Sequence, residues 1–164
     1  MSEGTAVPYV RRWAITELQA LSPLDGVRVS YSPIRNNADA IGDNGRIEAI
    51  YWTDADSVVE VRAFKGTPNI KYKEEATSRL VILVAANNQG DTLEDIDQRA
   101  ANLLGEVIKA FQADQPPSPG THLTNIRAFV EGWEMDVGQM SFGGSMIYAT
   151  SFEVDVRIQA NVEQ

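Results

Sequence analysis

Four carboxylates crowd one stretch of this chain, and their spacing could support chemistry. They lie at the start of QGDTLEDIDQRAANLLGEVIKAF (residues 89–111) and are Asp91, Glu94, Asp95 and Asp97. Clustered carboxylates can bind a metal ion or act as general acid and base. The same charges can also stabilise the start of a helix, because the N-terminal end of a helix dipole is positive.

The spacing of these carboxylates favours the structural interpretation. Asp91 with Glu94 fits a capping box, and Thr92 with Asp95 is a second option. An apolar stripe at helical spacing lies on the opposite side: Leu93, Ile96, Ala100, Leu103, Leu104, Val107, Ile108 and Phe111. We therefore predict an amphipathic helix whose acidic residues face solvent.

A second acidic stretch partly matches a calcium-binding loop. The matches to the EF-hand template are Asn37, Asp39, Gly42 and Glu48. Ile41 stands where the template needs an oxygen ligand, and the flanking residues are typical of strands rather than helices. We therefore predict a turn-rich surface loop here rather than a metal site.

Nucleophilic catalysis has little support. His122 is the only histidine, and the chain has no cysteine, which excludes disulfides, thiolate catalysis and the common structural zinc sites. The stretch SFGGS (141–145) lies between two strand-like runs, which predicts a hairpin tip rather than a phosphate-binding loop. Trp13, Trp52 and Trp133 could form a ligand cage, but Trp13 lies on the apolar stripe of the first helix, which favours a core position. Trp52 and Trp133 lie on predicted strands and fit either the core or an interface. The sequence thus assigns no catalytic, cofactor-binding or metal-binding residue.

Composition narrows the class of protein. The chain has 164 residues and a net charge of −9, which disfavours nucleic-acid binding because phosphate contacts need clustered lysine and arginine. Apolar residues make up 43% and charged residues 23%, as in ordinary globular domains. No apolar run is long enough for a membrane helix, and the N-terminus lacks the order of a signal peptide.

The first half of the chain predicts one helix followed by strands. The helix covers residues 5–21, with Thr5 as cap and Pro8 in the first turn. The next predicted elements are a strand over 26–32, a loop over 33–45, strands over 46–53 and 57–64 joined by a hairpin turn at TDADS, and a polar, mobile loop over 65–77.

The second half predicts a buried strand, the acidic helix and a hairpin. Residues 79–86 are almost continuously apolar, which indicates a strand covered on both faces. A proline-rich linker over 114–122 leads to strands over 123–137 and 145–159. The whole chain, 1–164, is then one α+β domain: an antiparallel or mixed sheet of about five or six strands, with two amphipathic helices packed against it.

This order of elements resembles one family of phage proteins. A helix leads into GVRVSYSPI and acidic strands; SRLVILVAANN, GDTLEDIDQRAANLLGEVIKAFQAD and a final strand pair ending in SFEVDVRIQA follow. The chain is similar over nearly its whole length to the tail terminator family of long-tailed bacteriophages, also called tail completion or tail-to-head joining proteins. The resemblance carries no catalytic motif.

The resemblance implies a structural role in the virion. Such proteins form a hexameric ring that caps the tail tube and meets the head connector, and DNA passes through without specific binding. It implies synthesis in the bacterial host cytoplasm and a place in the virion at the head–tail junction, with no enzymatic activity and no cofactor. We further expect a neighbouring subunit to cover the strand at 79–86. We expect the loops at 33–45 and 65–77 to contact the tube or connector, so deleting residues 67–73 should spare the fold and block tail capping.

Three other functions remain open at this stage. A head-completion or connector protein of the same junction would also be small, acidic and oligomeric. A metal-dependent enzyme could use carboxylates from the turns, namely Asp39, Asp43, Asp54 and Asp56. A ligand-binding module could use Trp52 and Trp133.

Overall fold

In the residues that the structure describes, the protein forms one five-stranded sheet with two helices on one face. The structure is a computed structural model and describes residues 4–42, 45–62, 71–86, 90–142 and 144–163. The main elements are α1 (Val7–Gln19), β1 (Arg28–Ser30), β2 (Ile47–Arg62), β3 (Lys71–Ala85), α2 (Leu93–Ala113), β4 (Leu123–Phe142) and β5 (Ser145–Glu163). Short 3-10 turns cover Ser22–Leu24 and Asn37–Ala40. The predicted α+β class is confirmed.

The strands follow the spatial order β1-β2-β3-β5-β4. β1 runs parallel to β2, and all other neighbouring pairs are antiparallel. We call the side of the sheet that carries α1 and α2 the helix face, and the other side the open face. The two sheet edges are therefore β1, which is short, and β4, which is long.

β2 corrects the predicted hairpin at TDADS. The strand continues from Ile47 to Arg62 and pairs with β3 throughout, with a register shift between Trp52 and Ala55. The hairpin prediction was therefore wrong. A bulge bends a strand without ending its pairing, and short polar residues tolerate that backbone as readily as a turn.

β3 corrects the predicted loop over 65–77. The strand already begins at Lys71, and every second residue from Tyr72 is buried. Residues 63–70, and with them the first part of the predicted loop, lie outside the described residues. Deleting residues 67–73 would remove the buried Tyr72, so we no longer expect that deletion to spare the fold.

The prediction that the strand at 79–86 is covered on both faces is wrong within one chain. Leu80, Ile82 and Val84 are fully buried on the helix face, whereas Val81 and Leu83 on the open face are half-buried. The 3-10 turn at Asn37–Ala40 covers part of the open face, because Ala40 packs in one cluster with Ala49 and Ala85. Ala85 is the fully buried residue of β3 on that face. Cover by a neighbouring subunit stays a prediction.

The start of α1 differs from the prediction. The N-cap is Ala6, and its amide donates to Glu74 Oε1 at 2.8 Å. The Thr5 hydroxyl accepts from the amide of Val7 instead of closing a cap, whereas Pro8 lies in the first turn as predicted. A buried carboxylate from β3 thus takes the place of a local cap, and the helix dipole favours its negative charge there.

The start of α2 follows the second of the two predicted capping boxes. The Thr92 hydroxyl accepts from the Asp95 amide at 3.2 Å, and Asp95 accepts from the Thr92 amide at 3.1 Å. Asp91 pairs instead with Arg46. Six of the eight residues of the predicted apolar stripe are buried, including Ile96, Leu103 and Phe111. Leu93 and Ile108 are half-buried.

We expect Thr92→Ala to lower the free energy of unfolding by about 1 kcal/mol, because the helix loses its N-cap acceptor. Hydrogen bonds from the Thr92 backbone, then from its side chain, lower the pKa of Asp95. A lowered carboxylate pKa stabilises the fold above about pH 4 and stops doing so as the pH falls through it. The variant keeps the backbone N–H, which is the larger cause, and loses only the hydroxyl, so the difference from the parent in urea unfolding should shrink only slightly below pH 4. Thr121→Ala, at an exposed threonine, is the control and should change little.

Candidate functional site

The first turns of α2 rest on a polar network that joins the helix to the sheet. Glu48 of β2 is 2% exposed and accepts from Arg99 Nε at 2.5 Å. Thr150 of β5 donates to Asp97. The prediction that all four acids of this stretch face solvent was therefore wrong for Asp91 and Asp97, whereas Glu94 and Asp95 are exposed. These contacts position a helix and give the network a structural role.

The structure does not assemble the calcium-loop template. Glu48 points to the helix face, where it pairs with Arg99. Asp39 pairs with Arg28 at 3.6 Å and precedes Ala40, which packs on the open face. The two carboxylates thus serve opposite sides of the sheet. Across the described ranges, no group of three or more His, Asp or Glu residues is placed to hold a metal ion.

Arg79 forms ion pairs with Asp54 and Asp56, two of the carboxylates that a metal-dependent enzyme could use. On the open face its guanidinium lies 3.3 Å from Asp54 and 3.1 Å from Asp56 of β2. It also lies 3.7 Å from Glu153 and 3.6 Å from Asp155 of β5. Hydrogen bonds to Asp56 and Asp54 raise the pKa of Arg79. The Arg79 guanidinium therefore balances part of the negative charge of these acids. Asp43 lies outside the described residues.

Arg79→Met should lower the free energy of unfolding by about 1 kcal/mol at low ionic strength, because four carboxylates then repel one another across three strands. Added salt should shrink the loss, since a Debye length near 10 Å at about 0.1 M screens exposed charges. Thermal unfolding at two salt concentrations measures both effects. The control is Lys109→Met, which removes an exposed cation paired with Glu106 within α2. A loss independent of salt would contradict the electrostatic explanation.

The three tryptophans do not form one cage. Trp13 meets Phe111 edge to face, with ring centroids 5.9 Å apart. Trp52 is 1% exposed in the core, whereas Trp133 on β4 is 52% exposed. Three strand spacings, about 14 Å, separate the last two along one row of the sheet. A ligand pocket made from Trp52 and Trp133 is therefore not formed.

The β4–β5 hairpin carries the main exposed apolar surface of the described chain. We call residues 130–150 the arm. Its exposed large apolar side chains are Trp133, Met135, Val137, Met146 and Tyr148. Trp133, Met135 and Val137 share the helix face, because they pair with Val154, Phe152 and Thr150 of β5. Contiguous exposed apolar surface of this kind marks an interaction site.

A groove and a set of acids border the arm. The groove, about 600 Å³, lies between α2 and the arm; Trp133, Met135, Phe152 and Leu104 contribute apolar walls. Glu94 and Asp97 contribute acidic groups to it. The arm carries three acids and no lysine or arginine: Glu131, Glu134 and Asp136. A partner should therefore be apolar and basic.

His122 is exposed, and its Nδ1 lies 3.2 Å from the Glu163 carbonyl oxygen. SFGGS joins β4 to β5 as a hairpin tip, as predicted, with Gly144 at a φ of +81° and Phe142 paired with Ser145. Residue 143 lies outside the described part of the chain. Strong alternation from Trp133 to Val137 indicates in the sequence that one face of the arm is apolar, but it does not indicate that this face is exposed.

Comparison with known proteins assigns no family. No protein-family model matches the chain. No curated protein matches it. In the described ranges, no helix is both long and apolar enough to cross a membrane.

Proposed function

We propose that this protein is a structural virion protein: a phage tail terminator that oligomerises into a ring, caps the tail tube and forms the head–tail joining interface. The observation that carries this proposal is the arm, whose exposed apolar face and acidic rim suit a protein partner. The family resemblance supplies the kind of assembly. The chemistry-bearing residues support the same conclusion, because the clustered acids are engaged in holding the fold together.

The proposed partners follow from the same features. They are other copies of this chain in a ring, with six as the expected number, the major tail tube protein and the head connector. The open face carries the acids around Arg79. If that face lines the passage, its negative charge lets DNA slide through without binding. The protein then works in the virion, at the head–tail junction, after synthesis in the bacterial host cytoplasm.

The proposal is tested by assembly and by binding to purified tail tubes. Light scattering after size exclusion and negative-stain images should show a ring with a central hole, either free or on the end of a tube. Tubes incubated with the protein should carry density at one end only. A protein that stays monomeric at every concentration and leaves tube ends bare would contradict the proposal.

A head-completion or connector protein is the second candidate, because the arm's surface would serve either side of the junction. Binding separates the two functions. Attachment to filled heads but not to purified tail tubes would favour the connector. Attachment to tubes before heads are added favours the terminator.

A further inference from the structure

The two edges of the sheet differ in charge in a complementary way. The β4 edge belongs to the arm, which has three acids and no cation. The β1 edge belongs to residues 26–36, which contain Arg28 and Arg35 and no acid. Arg28 also lies 3.6 Å from Asp39 of the following 3-10 turn, and its side chain is still 37% exposed. Both edges also expose an aromatic side chain, since Tyr31 is 38% and Trp133 is 52% exposed. The charges of the two edges are therefore opposite in sign, and each edge has an exposed aromatic side chain that could stack on the other.

The register of the sheet places these groups at matching heights. One row crosses the sheet through Arg28, Ala49, Leu83, Ser151 and Asp136, by direct pairing from strand to strand. All five residues share the open face, because directly paired residues point to the same side. The row thus ends in a cation at one edge and a carboxylate at the other.

A second row, three residues further along each strand, ends in aromatic residues. It runs through Trp52, Leu80, Val154 and Trp133. Beyond Trp52 lies Tyr31, whose carbonyl accepts from the Trp52 amide at 3.4 Å. Tyr31 is two residues from Val29, which shares the helix face with Ile50, so Tyr31 continues that face.

Strand direction also fits. β1 is parallel to β2, and the antiparallel steps to β3, β5 and β4 leave β4 running opposite to β1. A second copy placed beside β4 in the same orientation would therefore present its β1 edge antiparallel to β4. Copies related by rotation about an axis near the strand direction do not shift along the strands. Residues in the same row then meet.

We propose that copies of this chain join head to tail, with the β4 edge of one copy against the β1 edge of the next. Asp136 then faces Arg28 and Trp133 faces Tyr31. This inference rests on the proposed ring and names its interface. The contact is heterologous, because it joins two different surfaces. Successive copies therefore form a closed ring when the rotation from one copy to the next divides a full turn evenly. The aromatic pair supplies affinity, and the charge pair supplies orientation.

Charge argues against the other edge pairings. Two β4 edges placed together would bring Glu134 and Asp136 against their own copies. The free part of β2, where Val58 is exposed, carries Asp54 and Asp56, which would face the same acids. Like charges directly opposite each other destabilise a strand pair.

The test uses two variants that each break one side of the contact. Trp133→Glu breaks the β4 side, and Tyr31→Glu breaks the β1 side. Each alone should self-associate at least about 30-fold more weakly than the parent, because a charge enters the centre of the contact. Mixed, they have one intact surface each, so they should form a heterodimer of twice 18.0 kDa and nothing larger. Light scattering of the single and mixed samples measures this.

A charge exchange keeps the test valid if either variant folds poorly. Asp136→Arg and Arg28→Glu should each weaken assembly, and the two together in one chain should restore it. Asp114→Arg, which makes the same charge change just after α2, and Val58→Asp on β2 are the controls and should assemble like the parent. Loss of assembly in the Val58 variant, or no rescue by the double exchange, would overturn the proposed contact.

The outcomes separate this interface from the proposed function. If the parent forms rings and both Trp133→Glu and Tyr31→Glu form the same rings, the proposed interface is refuted but the ring itself is not. Normal rings of Trp133→Glu that no longer bind tubes would assign the arm to the tube protein and overturn the self-contact. A parent that binds tubes but stays monomeric on them overturns both the interface and the ring, and leaves only the attachment to tubes. A parent that neither assembles nor binds tubes overturns both.

Discussion

Arg99→Met should lower the free energy of unfolding by about 3 kcal/mol, because it leaves the Glu48 carboxylate without its main cation in a buried site. Glu48 is 2% exposed and accepts from Arg99 Nε at 2.5 Å. The pair links β2 to α2 beneath the first turns of the helix. The arginine side chain is still 26% exposed, so we place the loss at the lower end of the range for buried pairs.

A double-mutant cycle tests whether the loss comes from an orphaned charge. Glu48→Leu with Arg99→Met replaces the pair by apolar groups and should recover to within about 1 kcal/mol of the parent, since apolar replacements of buried pairs are often neutral. Urea unfolding of the parent, both single variants and the double variant supplies the four values. If the double variant loses as much as the sum of the singles, the residues act independently and this explanation fails.

Local signals were enough to predict α2 and the arm's hairpin. Thr92 and Asp95 stand three residues apart before an apolar stripe, and the structure closes that capping box. SFGGS separates two alternating runs, and it turns the chain as expected. In both cases, residues close in sequence make the contacts that determine the structure.

Charged residues that point into the core explain the wrong predictions for the first half of the chain. The sequence predicts a loop at 71–77 because the stretch is polar and rich in lysine, yet Glu74 is buried and accepts from the Ala6 amide at 2.8 Å. Glu48 points inward in the same way toward Arg99. Their partners lie far away in sequence, so no local pattern could reveal that these charges would be satisfied inside.

The bulge in β2 and the exposed surface of the arm could not be predicted for a different reason: both depend on neighbouring elements of the fold. Asp54 and Asp56 are common turn residues, but Arg79 from the next strand binds both and the strand continues past them. The arm's apolar side chains alternated visibly in sequence. Their exposure could not be predicted, because it depends on where α2 crosses the sheet.

Trp52 is the residue on which we expect the docking of α1 to depend most. Its Nε1 donates to the Arg11 carbonyl at 3.2 Å, and the Arg11 guanidinium lies 5.4 Å from its ring centroid. Arg11 also bonds Ser78 Oγ at 2.8 Å and the Thr53 carbonyl at 2.9 Å. One indole thus connects the first helix to β2 just before the bulge.

Trp52→Ala should lower the free energy of unfolding by about 3–5 kcal/mol, because it leaves a large cavity and removes the contacts with Arg11. Trp52→Phe keeps most of the ring but removes the N–H donor, so its loss should be about 1–2 kcal/mol. Trp133→Ala is the matched control in the same row of the sheet. Its ring is half exposed in the single chain, so the monomer should lose less than about 1 kcal/mol. Urea unfolding at concentrations where each variant is monomeric ranks the three, and hydrogen exchange in α1 should rise only in the Trp52 variants. Equal losses at Trp52 and Trp133 would mean that the core does not depend on the indole. The expected ranking would instead show that one end of this row stabilises the monomer while the other end remains available to a partner.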